Sequence, residues 1–460
     1  MRIVMKNLGP LRQAEFSLGD LTIICGRNNT GKTYATYATY GFLTFWKEVF
    51  TVDLAPDVVK KLRADGVVQV SLQEYVARFQ EILDDACKQF KPNLPLVLGA
   101  QERNFETTSF CVQVDPEDIR PIKEFEKIWG SAKKQLFQIT KTADDDAVKI
   151  SLLVEKDSGE IPSEVLRRMI GNALKDIIFG HLFPDPFIAS AERTGAAIFR
   201  NDLNFTLSQV FDQIKETQEL NPFELIDKAF RRHALPVVRN VDFMRRLEDA
   251  AKTDSFIAKE HPEMLARFAD VIGGEYKVGK EGLYFTPAGS RVRLTMKEGS
   301  SAVRSLLDLG FYIQHVAVKG QLLMVDEPEL NLHPENQRRV ARLLARLVNL
   351  WIRVYITTHS DYIIKEINTL LMLNRDLPHL QTLRDRHGYA REELLTAGKV
   401  RAYVAQEELV SIEGQTRRSR VPTFVPCEVT QEMGIDAKSF DPTILEMNRI
   451  QEVIILGRDA

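Results

Sequence analysis

Residues 21–42 read LTIICGRNNTGKTYATYATYGF, and this stretch restricts the possible folds more than any other. An apolar, strand-like DLTIIC runs into Gly26-Arg27-Asn28-Asn29-Thr30-Gly31-Lys32-Thr33, and residues 32–46 then carry helical spacing. A strand, a glycine-bearing loop and a helix in that order give the pattern G-x-x-x-x-G-K-[ST] a mechanism. Glycines let the backbone curl until successive N–H groups point inward at phosphate oxygens, and the helix that follows aims its positive end at the same anion. Gly26, Asn28, Asn29, Thr30 and Gly31 are therefore expected to line the phosphates, with the Lys32 ammonium on the β- and γ-phosphates. The Thr33 hydroxyl is the candidate Mg²⁺ ligand. The plainer alternative, a turn with a solvated lysine, leaves the ordered flanks unexplained. An α/β fold with a triphosphate site at this loop is the expectation.

A second stretch supplies acids. In QLLMVDEPELNLHPENQ, Leu322 to Val325 predict a buried strand that delivers Asp326 and Glu327 at its carboxyl end. Buried acids without a cation are costly. With a phosphate loop in the same chain the expected cation is Mg²⁺, held by Asp326 through water or together with Thr33. Glu327 is then placed to accept a proton from the attacking water. The next strand ends in Thr357-Thr358-His359-Ser360, where His359 is suited to contact a γ-phosphate or position water. Lone histidines are more often structural; the position after an acid-bearing strand favours the catalytic reading.

Two further stretches carry polar groups. Lys297-Glu298-Gly299-Ser300-Ser301 opens an amphipathic helix, AVRSLLDLGFYIQHVAV. Serines there are ordinary helix caps, and a serine-bearing helix start is also an anion site. In FIASAERTGAAIF, residues 187–199, an apolar strand ends in Glu192-Arg193. Arg193 is placed either to reach phosphate or a neighbouring subunit, or to pair with Glu192 or another acid; the residues alone leave both open.

The remainder divides by pattern. Residues 71–90 have helical spacing, while 106–114 and 147–154 predict strands, so 51–179 reads as an inserted α+β region. Its acidic run Asp144-Asp145-Asp146 reads as a solvated turn. Residues 200–270 predict a helical lobe, and 271–296 a β-meander of EYKV, GLYFTP and RVRLTM. The core is expected to be discontinuous, 1–50 with 180–375, and 376–460 to be an α/β tail that completes the fold or forms an interface. The tail's Arg417-Arg418-Ser419-Arg420 reads as a solvated loop before a nucleic-acid contact.

Composition removes other classes. A formal net charge of -3 gives no overall attraction to nucleic acid or an anionic membrane. Cys25, Cys87, Cys111 and Cys427 form no CxxC pair, which argues against a zinc site or a disulfide framework and fits reduced thiols in a cytoplasm. The N-terminus lacks a long apolar run, so the expectation is a cytoplasmic protein without a membrane role of its own.

The ordered set GRNNTGKT, EGSSAVRSL, LLMVDEPELNLHP and ITTHSDY resembles the ABC-type P-loop ATPase heads of the SMC, Rad50 and RecF group, and more closely the bacterial AAA15-like and OLD-like ATPases. The resemblance covers residues 1–45 and about 187–370, roughly half the chain. It implies a mixed β-sheet core in which these stretches are Walker A, signature, Walker B with D-loop, and H-loop. FIASAERTG resembles the apolar-Pro-Ala-Glu-Arg motif of the bacterial group, with Ser190 in place of the proline. GSSAVRSL in place of LSGGQ argues against a transporter, and no sustained heptads provide coiled-coil arms. No acidic DxD cluster in the glycine context of a Toprim nuclease follows His359.

The resemblance further implies that Ser300 and Ser301 of one copy cap the γ-phosphate bound at Lys32 of another, burying two ATPs in a head-to-tail homodimer that can extend into a larger symmetric assembly. A switch without an effector domain is similar to the AriA-type ATPases of PARIS anti-phage systems. The implied partners are then a separate AriB-like toxin nuclease and a phage-encoded trigger protein. A RecF- or Rad50-like DNA-repair ATPase is the competing reading. A stand-alone metabolic kinase conflicts with the signature and D-loop text.

Overall fold

The computed structural model describes residues 1–131, 134–143, 145–153, 162–198, 233–279, 282–411, 418–436 and 449–451. The chain forms two compact units. The smaller comprises Met1–Val4, Phe42–Asn93 and Phe110–Pro184, and the larger Met5–Gly41, Leu94–Ser109 and Asp185–Ala460.

The larger unit is organised by a six-stranded sheet in the order Arg418–Pro426, Val400–Ser411, Leu21–Gly26, Arg353–Thr358, Leu322–Asp326, Pro186–Ala189. Every neighbouring pair is parallel except the first, which makes the sheet mixed. The apolar runs LTIIC, LLMV and RVYI suit strands covered on both faces. Leu21, Ile23, Leu323, Val325, Val354 and Ile356 share one core with Val340, Leu344 and Leu347 of helix Pro334–Asn349 and with Ile363 and Ile367 of helix Asp361–Met372. On the other face Phe16 packs 6.1 Å from Tyr355 and 5.8 Å from Phe424, centroid to centroid. This is the expected α/β ATPase-head architecture.

Some elements differ from the sequence expectation. Strand Leu11–Ser17 was not anticipated because its Arg12, Gln13 and Glu15 dilute the apolar signal. The tail, expected as α/β, contributes a twelve-residue strand, Val400–Ser411, paired directly with Leu21–Gly26. The segment after Ser300 is not one helix: Ser301–Ser305 and Leu307–Phe311 are separated at Leu306 (φ -105°, ψ 5°), and a π-helical turn, Tyr312–Val316, follows. The meander appears as an antiparallel sheet of Gly274–Gly279, Gly282–Pro287 and Leu294–Thr295, the last strand much shorter than RVRLTM. Helices Leu235–Arg245, Leu247–Ala250, Phe256–Glu260 and Glu263–Ile272 occupy the later part of the expected lobe; its 200–232 portion lies outside the described residues.

The smaller unit has a four-stranded antiparallel sheet, Val67–Ser71, Ala147–Leu152, Lys134–Lys141, Phe125–Ser131, and helices that include Phe79–Phe90 and Ser163–Phe179. Its core is aromatic: Phe42, Phe50, Phe90, Phe110 and Phe183 meet edge-on or tilted within 6.4 Å. Asp145 and Asp146 accept turn hydrogen bonds from Ala147 N and Gln73 Nε2 in exposed positions; Asp144 lies outside the described residues.

Candidate functional site

Strand register brings the motifs to one edge. Cys25 is level with Thr358, Thr357 with Asp326, and Val325 with Ala189, so four parallel strands end together. The acid-bearing strand is two strand spacings, about 10 Å, from the phosphate-loop strand. His359 leaves the strand between them.

The phosphate loop needs its glycines. Gly26 has φ +134° and Gly31 φ +88°, and Asn29 adopts +62°, where asparagine is tolerated better than most residues. A Cβ on Gly26 would overlap the Ala405 carbonyl, and one on Gly31 the Leu11 side chain. Arg27, Asn28, Asn29 and Thr33 are exposed and Thr30 is half-buried, its hydroxyl donating to Arg27 O at 2.8 Å. Lys32 is buried and folds back over the loop, its Nζ donating to Gly26 O at 3.0 Å and Arg27 O at 2.7 Å. Burial holds its ammonium below the usual lysine range against the pull of Glu327, Asp326 and Glu329.

Asp326 is buried. One oxygen accepts from the Thr357 hydroxyl, and the other, Oδ2, has no hydrogen-bond partner. Burial pushes this carboxyl up to about 6. An orphaned buried carboxylate oxygen fits a cation site. Among the described residues no group of three or more His, Cys, Asp or Glu could hold a metal alone, so an ion here takes further oxygens from nucleotide and water.

Glu327 has φ +54°, a left-handed conformation that is costly for a side chain of its kind. Its N–H donates to Thr357 O at 3.1 Å. Its carboxylate lies 3.4 Å from His359 Nε2, and this contact holds it below the usual glutamate range. The His359 backbone N–H donates to Glu329 Oε1 at 2.6 Å. Glu329 was not foreseen as a site residue. Its burial raises it above the usual range, and its Oε2 is unpartnered. The signal for it was its place two residues after Glu327 in DEPEL.

Arg193 makes no side-chain hydrogen bond to Glu192: it is 1% exposed and among the described residues donates to backbone carbonyls, Ser305 at 2.7 Å, Ser190 at 2.9 Å, Asp326 at 2.6 Å and Glu327 at 2.6 Å. Glu192 instead accepts from Tyr37 Oη at 3.0 Å. Ser190, where the resembling motif has proline, donates its N–H to Asn240 Oδ1 at 2.5 Å, a bond proline cannot make. Ser300 and Ser301 are both exposed, and Ser300 caps the short helix by accepting from Val303 N at 3.3 Å. Arg418 and Arg420 are exposed on the outermost strand; Arg417 lies outside the described residues.

Residues 188–364 match the family model described as AAA ATPase domain (AAA_15). The match takes in Arg193, Ser300, Ser301, Asp326, Glu327 and His359, and the phosphate loop precedes it. The chain is similar to the SMC head domain from Thermotoga maritima at 12% identity, with 93% of this chain and 98% of that one covered and a TM-score of 0.28. It is also similar to an Smc head domain bound to the C-terminal domain of ScpA derived from Pyrococcus furiosus, at 12% identity, 97% and 98% coverage and a TM-score of 0.31. No curated protein matches the chain. No disulfide joins the four cysteines, and no helix among the described residues is long and apolar enough to cross a membrane.

Proposed function

We propose that the chain binds and hydrolyses Mg²⁺-ATP and that its nucleotide state sets its assembly state. The observation that carries this reading is the register that ends the Lys32, His359 and Asp326–Glu327 strands at one edge, with Asp326 Oδ2 buried and unpartnered. The Lys32 ammonium, which donates to the Gly26 and Arg27 carbonyls at the rim of the loop, is the cation that would meet the β- and γ-phosphates. Asp326 and Thr33 are the residues that would hold Mg²⁺, which supplies charge neutralisation on the phosphates. Glu327 accepts the proton of the attacking water, and His359 steadies its carboxylate and stands ready to donate toward the γ-phosphate. Ser300 and Ser301, exposed on one copy, close over the triphosphate of a second.

Loss of the γ-phosphate then removes a group shared by two subunits, so hydrolysis separates them. By the resemblance to single-chain defence ATPases, this switch serves as the sensor and scaffold of a bacterial anti-phage system of the PARIS type, holding a separate toxin nuclease until a viral trigger protein arrives. Native mass measurement of Glu327→Gln with and without ATP tests the core of the proposal. An ATP-dependent dimer or multiple of dimers is expected; a monomer at saturating ATP refutes the switch. A RecF-like DNA-repair role instead requires ATPase stimulation by DNA and salt-sensitive DNA binding.

A further inference from the structure

The Arg193 guanidinium has five N–H donors in a rigid plane, and the four bonds recorded all end on carbonyls of three different segments. Ser190 closes its own strand. Asp326 and Glu327 are the acids of the candidate site. Ser305 is the last residue of the five-residue helix that Ser300 caps. The side chain is thus a single stiff body whose position is set jointly by the catalytic acids and the serine segment.

The Glu327 peptide gives this body something to sense. Its left-handed backbone is held on one side by Thr357, which accepts its N–H, and on the other by Arg193 Nη2 at its carbonyl. A strained conformation persists only while its surroundings enforce it. Rotation of this peptide pulls on the guanidinium, and the guanidinium is also bonded to Ser305. A push on the serine segment travels the other way by the same bonds.

We infer that Arg193 is a positioning residue that couples the Glu327 backbone to the Ser300–Ser305 segment, so that docking of a second copy on the serines and the alignment of Glu327 are one event. This rests on the assembly reading proposed above. It also states something that reading does not require: without Arg193 the chain still binds ATP, but binding no longer prepares the serine surface, and docking no longer accelerates hydrolysis. Lysine keeps the charge yet presents one nitrogen, which cannot span four carbonyls in a plane.

The test compares Arg193→Lys with wild type, and Arg193→Lys/Glu327→Gln with Glu327→Gln. Arg193→Lys is expected to keep the ATP dissociation constant within about threefold. Its specific ATPase activity should fall at least tenfold and stop rising with protein concentration, and the double variant should stay monomeric with ATP. Wild-type concentration dependence in a folded Arg193→Lys, or an ATP-driven dimer of the double variant, overturns the inference. A monomeric Glu327→Gln with bound ATP overturns the assembly reading instead. If the lysine variant does not fold, hydrogen exchange of the unmutated chain decides, at concentrations where it is monomeric. ATP is expected to slow exchange of amides 301–306, and an unchanged profile there overturns the coupling.

Discussion

His359 Nε2 stands 3.4 Å from Glu327 Oε1, so the candidate general base carries its own polar partner within the chain. The ring is set by a second acid, since Glu329 holds the His359 backbone at 2.6 Å. Base, partner and anchor form a chain of three residues.

Glu327→Gln should lower kcat by about 10²–10⁴-fold, the range for loss of a general base, while ATP affinity stays near wild type. His359→Ala should cost less, on the order of 10–100-fold, because the carboxylate remains but loses its orientation. Single-turnover hydrolysis together with equilibrium ATP binding separates the two. Equal activity of the glutamine variant and wild type would remove Glu327 from the mechanism.

The phosphate loop is tested by Gly31→Ala. With φ at +88° and the Leu11 side chain where a Cβ must go, alanine is both strained and obstructed. The loop should change shape, and ATP affinity should drop on the order of 100-fold or more, with a fall in melting temperature of a few degrees. Lys32→Ala should lose affinity without the stability loss, since it removes a buried cation satisfied only by carbonyls. Titration with a fluorescent ATP analogue and thermal unfolding distinguish the two variants.

What the sequence made legible follows from how local each signal is. The GRNNTGKT loop, the LLMVDE strand and the TTHS strand end each combine an apolar run with polar residues at its carboxyl end, and parallel pairing does the rest. Arg193 was visible as a residue but not in its role. Its partners are backbone carbonyls up to 134 positions away, and carbonyls carry no side-chain signature. Glu329 was hidden for a similar reason, since it acts on a backbone N–H thirty residues on. The strand Val400–Ser411 carries charges along half its length, because that half projects beyond the covered sheet, and its apolar half alone reads as short.

Asp308 provides a pH test away from the nucleotide. It is fully buried, accepts from Asn240 Nδ2 at 3.2 Å and Leu309 N at 2.9 Å, and burial pushes it up to about 6 in spite of the attraction of Arg193. An unfolded aspartate titrates near 4. Between about pH 4 and 6 the folded chain therefore retains a proton that the unfolded chain has lost, and stability falls as pH rises, by up to about 1.4 kcal/mol per pH unit for this group. Asp308→Asn removes that slope. Urea unfolding at pH 4.5, 5.5 and 6.5 should show the variant gaining on wild type as pH increases, because the other carboxylates titrate alike in both; parallel curves would show that Asp308 ionises as readily folded as unfolded.

A buried ion cluster gives the largest expected stability effect. Glu393 is 2% exposed and accepts from Arg342 Nε at 2.9 Å and Arg346 Nε at 3.0 Å, tying helix Pro334–Asn349 to the Arg391–Glu393 turn. Arg346 is itself buried, so truncating the acid leaves a buried cation without its carboxylate partner. Breaking such a pair from one side costs about 3–5 kcal/mol, whereas the pair as a whole contributes far less. Glu393→Ala should therefore lower the melting temperature of the larger unit by on the order of 10 °C. Glu393→Ala/Arg346→Met, which also removes the stranded charge, should recover part of that loss. By contrast, Asp57→Asn, at the solvent-exposed pair Lys61–Asp57, should leave melting unchanged. If the double variant melts lower than the single one, the cluster stabilises by packing and not by compensating a buried charge.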